Sequence, residues 1–201
     1  VLDMANNHQG DVSHGLDIIT EASEVVKKND VRAGIKFQFR QLQTFIHKKY
    51  KKNPKQKHLL RFQSTELTSE DYQLLFNKVK EMGLYTICTP FDEESVDIIE
   101  DMNFDIIKVA SCSAKDWPLL EKISQSNLPI IISTGGLEIS NIDHLVSFFK
   151  HRNSHFALMH CVSLYPTPDS DFYLNQIDSL KKRYPDIDIG WSTHEDPEDY
   201  V

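Results

Sequence analysis

Six short apolar runs in this 201-residue chain each end on a cluster of polar, chemically usable residues. They read GIKFQF (34–39), YTICTPFD (85–92), DIIKVASCS (105–113), IIISTGG (130–136), FALMHCVSLYPTP (156–168) and DIGWSTHE (188–195), and VLDMANNH (1–8) opens the chain as a seventh. Within each, β-branched and aromatic residues give way to Lys, Thr, Ser, His or Asp. A strand buried on both faces reads as a continuous apolar run, and it ends in polar side chains where it opens into a site. A chain that needed only a core would not place Lys, Ser and His at the same end of strand after strand.

Helical periodicity fills the gaps. Residues 14–28 place Leu16, Ile19, Val25 and Val26 near one face. Residues 68–83 begin with capping-box residues, Thr68-Ser69-Glu70-Asp71, and end on Gly83. Residues 93–102 start acidic, as suits a helix N-terminus, with Asp92 as N-cap. Further helices are expected at 116–126, 138–151 and 171–184. The order is β-α throughout, which predicts a parallel sheet with crossover helices. A doubly wound sheet would concentrate its chemistry at one switch point. Polar ends on every strand favour an α/β (β/α)8 TIM barrel, with seven strands in this sequence and the eighth beyond it. One barrel domain over 1–201, incomplete at its C-terminus and excised from a longer chain, is the expectation.

Composition narrows the class. Hydrophobic residues are 40% and charged residues 26%, an ordinary globular mix. No apolar run reaches the roughly 18 residues of a membrane span, and the opening residues VLDMANNHQGD lack the basic and long apolar regions of a signal peptide. Cys88, Cys112 and Cys161 fit no zinc spacing and read as reduced thiols of a cytoplasmic protein. The net charge of −8 is uneven: residues 47–61 hold seven of the 22 Lys/Arg and no acid, leaving 15 basic against 30 acidic residues elsewhere. Such a surface repels nucleic acid. The basic segment is either a solvated face or a lid over an anionic substrate.

Lys36 and Lys108 lie inside apolar runs, where an ammonium is costly unless paired. They are either a Schiff-base nucleophile or a pair of cations holding a phosphate or carboxylate. The hydroxyls of Thr89, Ser111, Ser133 and Ser192 at neighbouring strand ends suit the anion better, since a phosphate takes several donors. His194 is open as metal ligand or general acid/base. His160, deeper in its run, reads equally as a core histidine, and His8 shapes the end of the first run. Asp3 is the carboxylate of that run, and Gly135-Gly136 is a weak sign of backbone amides near an anion.

In order and spacing, DMANNHQGD, KFQF, TPFDEESVD, KVAS, the WPLL helix start, PIIISTGG, HCVSLYPTP and GWSTH resemble the sialic acid synthases, the NeuB-type enzymes. The resemblance implies a (β/α)8 barrel followed by a small antifreeze-like domain that reaches into a partner's site in a domain-swapped homodimer. It implies condensation of phosphoenolpyruvate with an N-acylated amino sugar, helped by a divalent metal, Mn²⁺ or Mg²⁺. By motif, Lys36, Thr89, Lys108, Ser111, Ser133 and Ser192 would hold phosphoenolpyruvate. His194 would be one metal ligand, the second lying in the eighth strand, and Asp3 and His194 would be catalytic. Gln38, His8 and His160 would support the site, and Tyr165 would face the sugar.

Three departures fall on the sugar side. Asp3 stands where the family usually has Glu, Ser113 where a Ser-Gly-Glu motif has Glu, and Ser163 where an Asn precedes the Tyr-Pro-Thr-Pro motif. They suggest an unaltered enolpyruvate clamp beside an altered acceptor pocket. A lysine Schiff-base aldolase and a non-catalytic sugar-phosphate-binding relative are the alternatives. As a separate piece, 1–201 is expected to be inactive and stable only within a longer chain or an oligomer.

Overall fold

The computed structural model describes residues 1–51 and 57–196. Among the described residues seven strands occur, β1 Leu2–Asp3, β2 Gly34–Phe39, β3 Tyr85–Pro90, β4 Ile106–Val109, β5 Ile130–Ser133, β6 Phe156–Cys161 and β7 Asp188–Ser192. The strand order equals the chain order, and every pairing whose register is resolved is parallel. An order without reversal belongs to the β/α-barrel class rather than to a doubly wound sheet, as the alternation of patterns predicts. The chain divides into two compact units, Val1–Ile106 and Ile107–Val201.

In the first unit α1 (Val12–Lys28) follows β1, α2 (Leu42–Phe45), α3 (Lys57–Ser64) and α4 (Ser69–Glu81) follow β2, and α5 (Glu93–Asp101) follows β3. The α1 face is set by Gly15, Ile19 and Ser23, and Val25 is 60% exposed, so the stripe expected over Leu16, Ile19, Val25 and Val26 is corrected at that position. Small side chains leave room for α4, a cue that a purely apolar count does not see. Thr68 alone caps α4, accepting from the Asp71 N–H while the Asp71 carboxylate accepts from the Thr68 N–H. Gly83, at φ +74°, ends the helix: its N–H donates to the Lys80 carbonyl and the Leu84 N–H to that of Val79. Asp92 caps α5 as expected, accepting from the Ser95 N–H, and its second oxygen accepts from the Gln41 N–H at 2.8 Å.

The core of this unit centres on Phe104. Its ring meets Phe76 at 5.0 Å, Phe39 at 5.6 Å and Phe37 at 6.0 Å between centroids. At the amino-terminal end of β3, the Asp105 carboxylate accepts from the Thr86 N–H at 2.7 Å and the Thr86 hydroxyl at 2.8 Å, and pairs with Lys80 at 2.6 Å. Burial pushes that carboxyl up, but the hydrogen bonds from Lys80 and Thr86 outweigh it and hold its pKa below the ordinary value.

In the second unit α6 (Trp117–Gln125), α7 (Ile139–His151) and α8 (Asn175–Arg183) alternate with β4–β7. Ile107, Leu120, Ile132, Phe149 and Leu158 form its buried interior. The helix expected from 171 begins at Asn175 instead, because Asp169–Asp171 forms a 3₁₀ turn after Pro168. Asp143 of α7 receives both Nε and Nη2 of Arg183 at 2.8 and 2.6 Å and the Tyr184 hydroxyl at 2.7 Å.

Candidate active site

Asp3, Ser133 and Ser192 are the last residues of β1, β5 and β7, Ser111 lies just past β4, and Lys36, Thr89 and Lys108 lie within β2, β3 and β4. Each unit presents its own set. In the first, Asp3 and Lys36 are register partners on β1 and β2, and Lys36 Nζ lies 2.9 Å from Asp3 Oδ1. The Lys36 side chain is 12% exposed and that of Asp3 48% exposed, so a nearly buried ammonium has its counter-charge at the water boundary. This is the pairing that makes a lysine in an apolar run tolerable. Gln38 follows two residues on, on the same strand face. Thr89, 2% exposed on β3, has a buried hydroxyl with no hydrogen-bond partner within the described residues. An unmade bond of that kind is costly, which makes the hydroxyl a candidate donor to a ligand.

His8 is fully buried. Its Nδ1 accepts from the Gly10 N–H at 3.1 Å, and the ring stands edge-on to Tyr72. Burial lowers its pKa, and the repulsion of His14 adds to this against the hydrogen bond of Ala5. The neutral ring therefore supports the loop after β1 rather than carrying charge there.

In the second unit Lys108, 8% exposed, donates to the Val109 carbonyl at 3.0 Å and to the Ser133 hydroxyl on the adjacent strand. Ser111, just past β4, accepts from the Gly135 N–H at 3.0 Å and lies 3.4 Å from Cys161 Sγ. A Cβ on Gly135 would fall 2.6 Å from Ser163 Oγ, 2.9 Å from Cys161 Sγ and 3.0 Å from Ser111 Oγ. A side chain here would force Ser163, Cys161 or Ser111 to move. The Gly135 amide is thus engaged by Ser111, which replaces the expectation of a loop amide turned to an anion. Cys161, read from sequence only as a reduced thiol, belongs to this cluster.

The Tyr165 ring, 71% exposed, meets His194 edge-on at 4.3 Å, and the Thr167 N–H donates to the His194 carbonyl at 2.8 Å. The Tyr-Pro-Thr-Pro loop, whose Tyr165–Pro166 peptide is cis, is thereby tied to the exit of β7. Ser192, the last residue of β7, pairs in register with Cys161. Ser163 is exposed, whereas Ser113 is 7% exposed within a 3₁₀ turn. His160 is a core histidine, its Nε2 bonded to the Phe172 carbonyl at 2.8 Å. Arg40 was not singled out, although it continues the two-residue spacing of Lys36 and Gln38.

Among the described residues no group of three or more His, Cys, Asp or Glu side chains could hold a metal ion. His194 would supply one ligand of a divalent cation, and a complete set needs further ligands from elsewhere. Nor is any described helix long and apolar enough to cross a membrane. In the basic segment Lys51 donates to Gln43 at 2.7 Å, Lys48, Lys49, Lys57 and Arg61 are exposed, and Lys52 and Lys55 lie outside the described residues.

Residues 24–199 match the model of the NeuB family, and the chain belongs to that family. A solved Chromobacterium violaceum protein, provisionally assigned as spore coat polysaccharide biosynthesis protein E, is 47% identical with a TM-score of 0.95, covering 98% of this chain and 59% of that one. The N-acetylneuraminic acid (sialic acid) synthetase of Leptospira borgpetersenii is 30% identical with a TM-score of 0.83, covering 96% and 64%. The N,N'-diacetyllegionaminic acid synthase of Campylobacter jejuni is 29% identical over 94% of this chain and 58% of its own. The chain spans about half the length of the curated relatives it matches.

Proposed function

We propose that this chain supplies the phosphoenolpyruvate-binding face, and part of the acceptor face, of a nonulosonic acid synthase. The reaction joins phosphoenolpyruvate to an N-acylated amino sugar and releases phosphate. The observation that carries the reading is the pair of strand-borne lysines, each held by a polar side chain of the adjacent strand, Lys36 by Asp3 and Lys108 by Ser133. Such cations, with hydroxyls beside them, match a ligand bearing both a carboxylate and a phosphate.

By the motifs shared with the family, Lys36, Thr89, Lys108, Ser111, Ser133 and Ser192 are assigned to phosphoenolpyruvate. C3 of the enol attacks the aldehyde carbon of the open-chain sugar, whose oxygen takes up a proton. Water adds at C2, the C–O bond to phosphate breaks, and a 2-keto acid and inorganic phosphate leave. Asp3, half-exposed beside Lys36, accepts a hydrogen bond from the acceptor, and Tyr165 stacks against it. A divalent cation bound in part by His194 would polarise the aldehyde. The second metal histidine is assigned to an eighth strand after residue 201, and an antifreeze-like domain and a homodimer contact are assigned to the full-length chain. A cytoplasmic setting accords with three free thiols.

An ion-paired lysine is arranged as a charged donor, not as the free amine an imine needs, which disfavours the aldolase alternative. The test is phosphate release by the full-length chain with Mn²⁺, phosphoenolpyruvate and a panel of N-acylated hexosamines. No release with any of them, or borohydride trapping of pyruvate on Lys36 or Lys108, sinks the reading.

A further inference from the structure

Between Asp30 and Glu66 the chain carries no acidic residue, and ten of its 22 Lys/Arg fall in that stretch, leaving twelve basic against 30 acidic residues elsewhere. The stretch holds β2 with Lys36 and then the basic segment, which the reaction as described does not use. Four cations of that segment, Lys48, Lys49, Lys57 and Arg61, are exposed, and none forms an ion pair among the described residues.

Local structure gives these charges no support. Lys57 stands in the first turn of α3, where the helix dipole disfavours a cation, and no acidic residue offsets it in that turn. Lys57 and Arg61 are four residues apart, a like-charge spacing that destabilises a helix. Charge held against both preferences suits an anion that arrives from solvent.

The patch is fastened to the strand that bears Lys36. Lys51 donates to the Gln43 carbonyl at 2.7 Å, and the Gln63 amide donates to the Lys51 carbonyl at 3.1 Å, so the turn carrying Lys48 and Lys49 is held beside α3. Phe62 of α3 places its ring centroid 4.3 Å from the Arg40 guanidinium. Arg40 follows Lys36 by four residues of extended chain, roughly 13 Å at about 3.3 Å per residue. That span is close to the Debye length of roughly 10 Å at 0.1 M salt and well inside the roughly 30 Å at 0.01 M. The chain as a whole has a net charge of −8, which repels anions.

We infer that the basic segment is a capture surface for phosphoenolpyruvate, drawing the anion from solvent toward Lys36 by long-range attraction rather than holding it once bound. The inference rests on the synthase reading above, which supplies the anion. Its test follows association of phosphoenolpyruvate with the full-length chain and Mn²⁺ by stopped flow, across ionic strength. The patch variant combines Lys48→Gln, Lys49→Gln, Lys57→Gln and Arg61→Gln. A control combines Lys27→Gln, Lys28→Gln, Lys181→Gln and Lys182→Gln, all exposed positions of α1 and α8, and so has the same net charge.

At about 0.01 M salt the patch variant should associate about 10-fold more slowly than the wild type, the lower end of electrostatic steering, with the control within about twofold. At about 1 M, where the Debye length is roughly 3 Å, the three rates should converge. Dissociation of phosphoenolpyruvate and the KM of the neutral sugar should stay unchanged, because rim charges act on encounter. Equal slowing in patch variant and control, a gap that survives about 1 M salt, or a change carried by dissociation overturns the capture surface while the synthase reading stands. If the fourfold variant does not fold, Lys48→Gln with Lys49→Gln, both on a turn, decides, with an expected slowing of about threefold. A wild-type chain to which phosphoenolpyruvate does not bind overturns both.

Discussion

Asp3 and Lys36 stand opposite each other in the register of β1 and β2, and their charged atoms are 2.9 Å apart. The pair is asymmetric in exposure, with the cation inside and the anion near water. Removing either member leaves a different problem. Without Asp3 a nearly buried ammonium loses its partner, and without Lys36 the site loses a cation.

Lys36→Met should weaken phosphoenolpyruvate binding about 10- to 150-fold, the value of one charge-assisted hydrogen bond. Asp3→Asn should leave that affinity within a few-fold and depress turnover of the sugar instead. Calorimetric titration of the full-length chain, paired with phosphate release, separates the two. Equal loss of enolpyruvate affinity in both variants would refute the division.

Gly135→Ala inserts a methyl among Ser111, Cys161 and Ser163. Overpacking of this kind costs about 1–3 kcal/mol. The variant should melt earlier and bind phosphoenolpyruvate more weakly, because Ser111 must move. Serine-to-alanine changes at 111 and 163 should each restore part of the melting temperature, and failure to do so would show that the crowding lies elsewhere.

Phe104→Ala removes the ring on which Phe37, Phe39 and Phe76 converge. The expected loss is about 3–5 kcal/mol, read as a lower urea midpoint. A loss below 1 kcal/mol would mean that the first unit repacks.

Asp143, held by both arms of Arg183 and then by Tyr184, has its pKa lowered from 3.8 to about 2. A depressed folded-state pKa contributes stability that is complete above the unfolded value and fades as pH falls through the folded one. Thermal stability should therefore drop between about pH 4 and pH 2, and Asp143→Asn should flatten that part of the profile while lowering stability at neutral pH. An unchanged acid limb in the variant would assign it to other carboxylates.

Much of this was readable from residues alone. Strand β2 spans the run 34–39 as written, because a strand buried on one face and polar toward the site leaves an unmistakable alternation after Lys36. The ends of α4 were legible through Thr68, Asp71 and Gly83, whose roles are local. What was hidden depends on distance in sequence. Gly135 is needed because Ser111 and Ser163 converge on it from 24 and 28 residues away. Arg40 looks like an ordinary surface charge until Phe62 and Phe91 close over its faces. Val25 was misplaced because the helix turns small residues, not large ones, toward its neighbour.

The Asp105 network, joining Thr86 and Lys80 at the amino-terminal side of β3, gives the strand an anchor remote from Thr89 at its other end. Evolution can therefore rewrite one end of the strand without negotiating with the other. A substitution at Thr89 can alter what that end of the strand meets while Asp105, Thr86 and Lys80 still hold the other end in place.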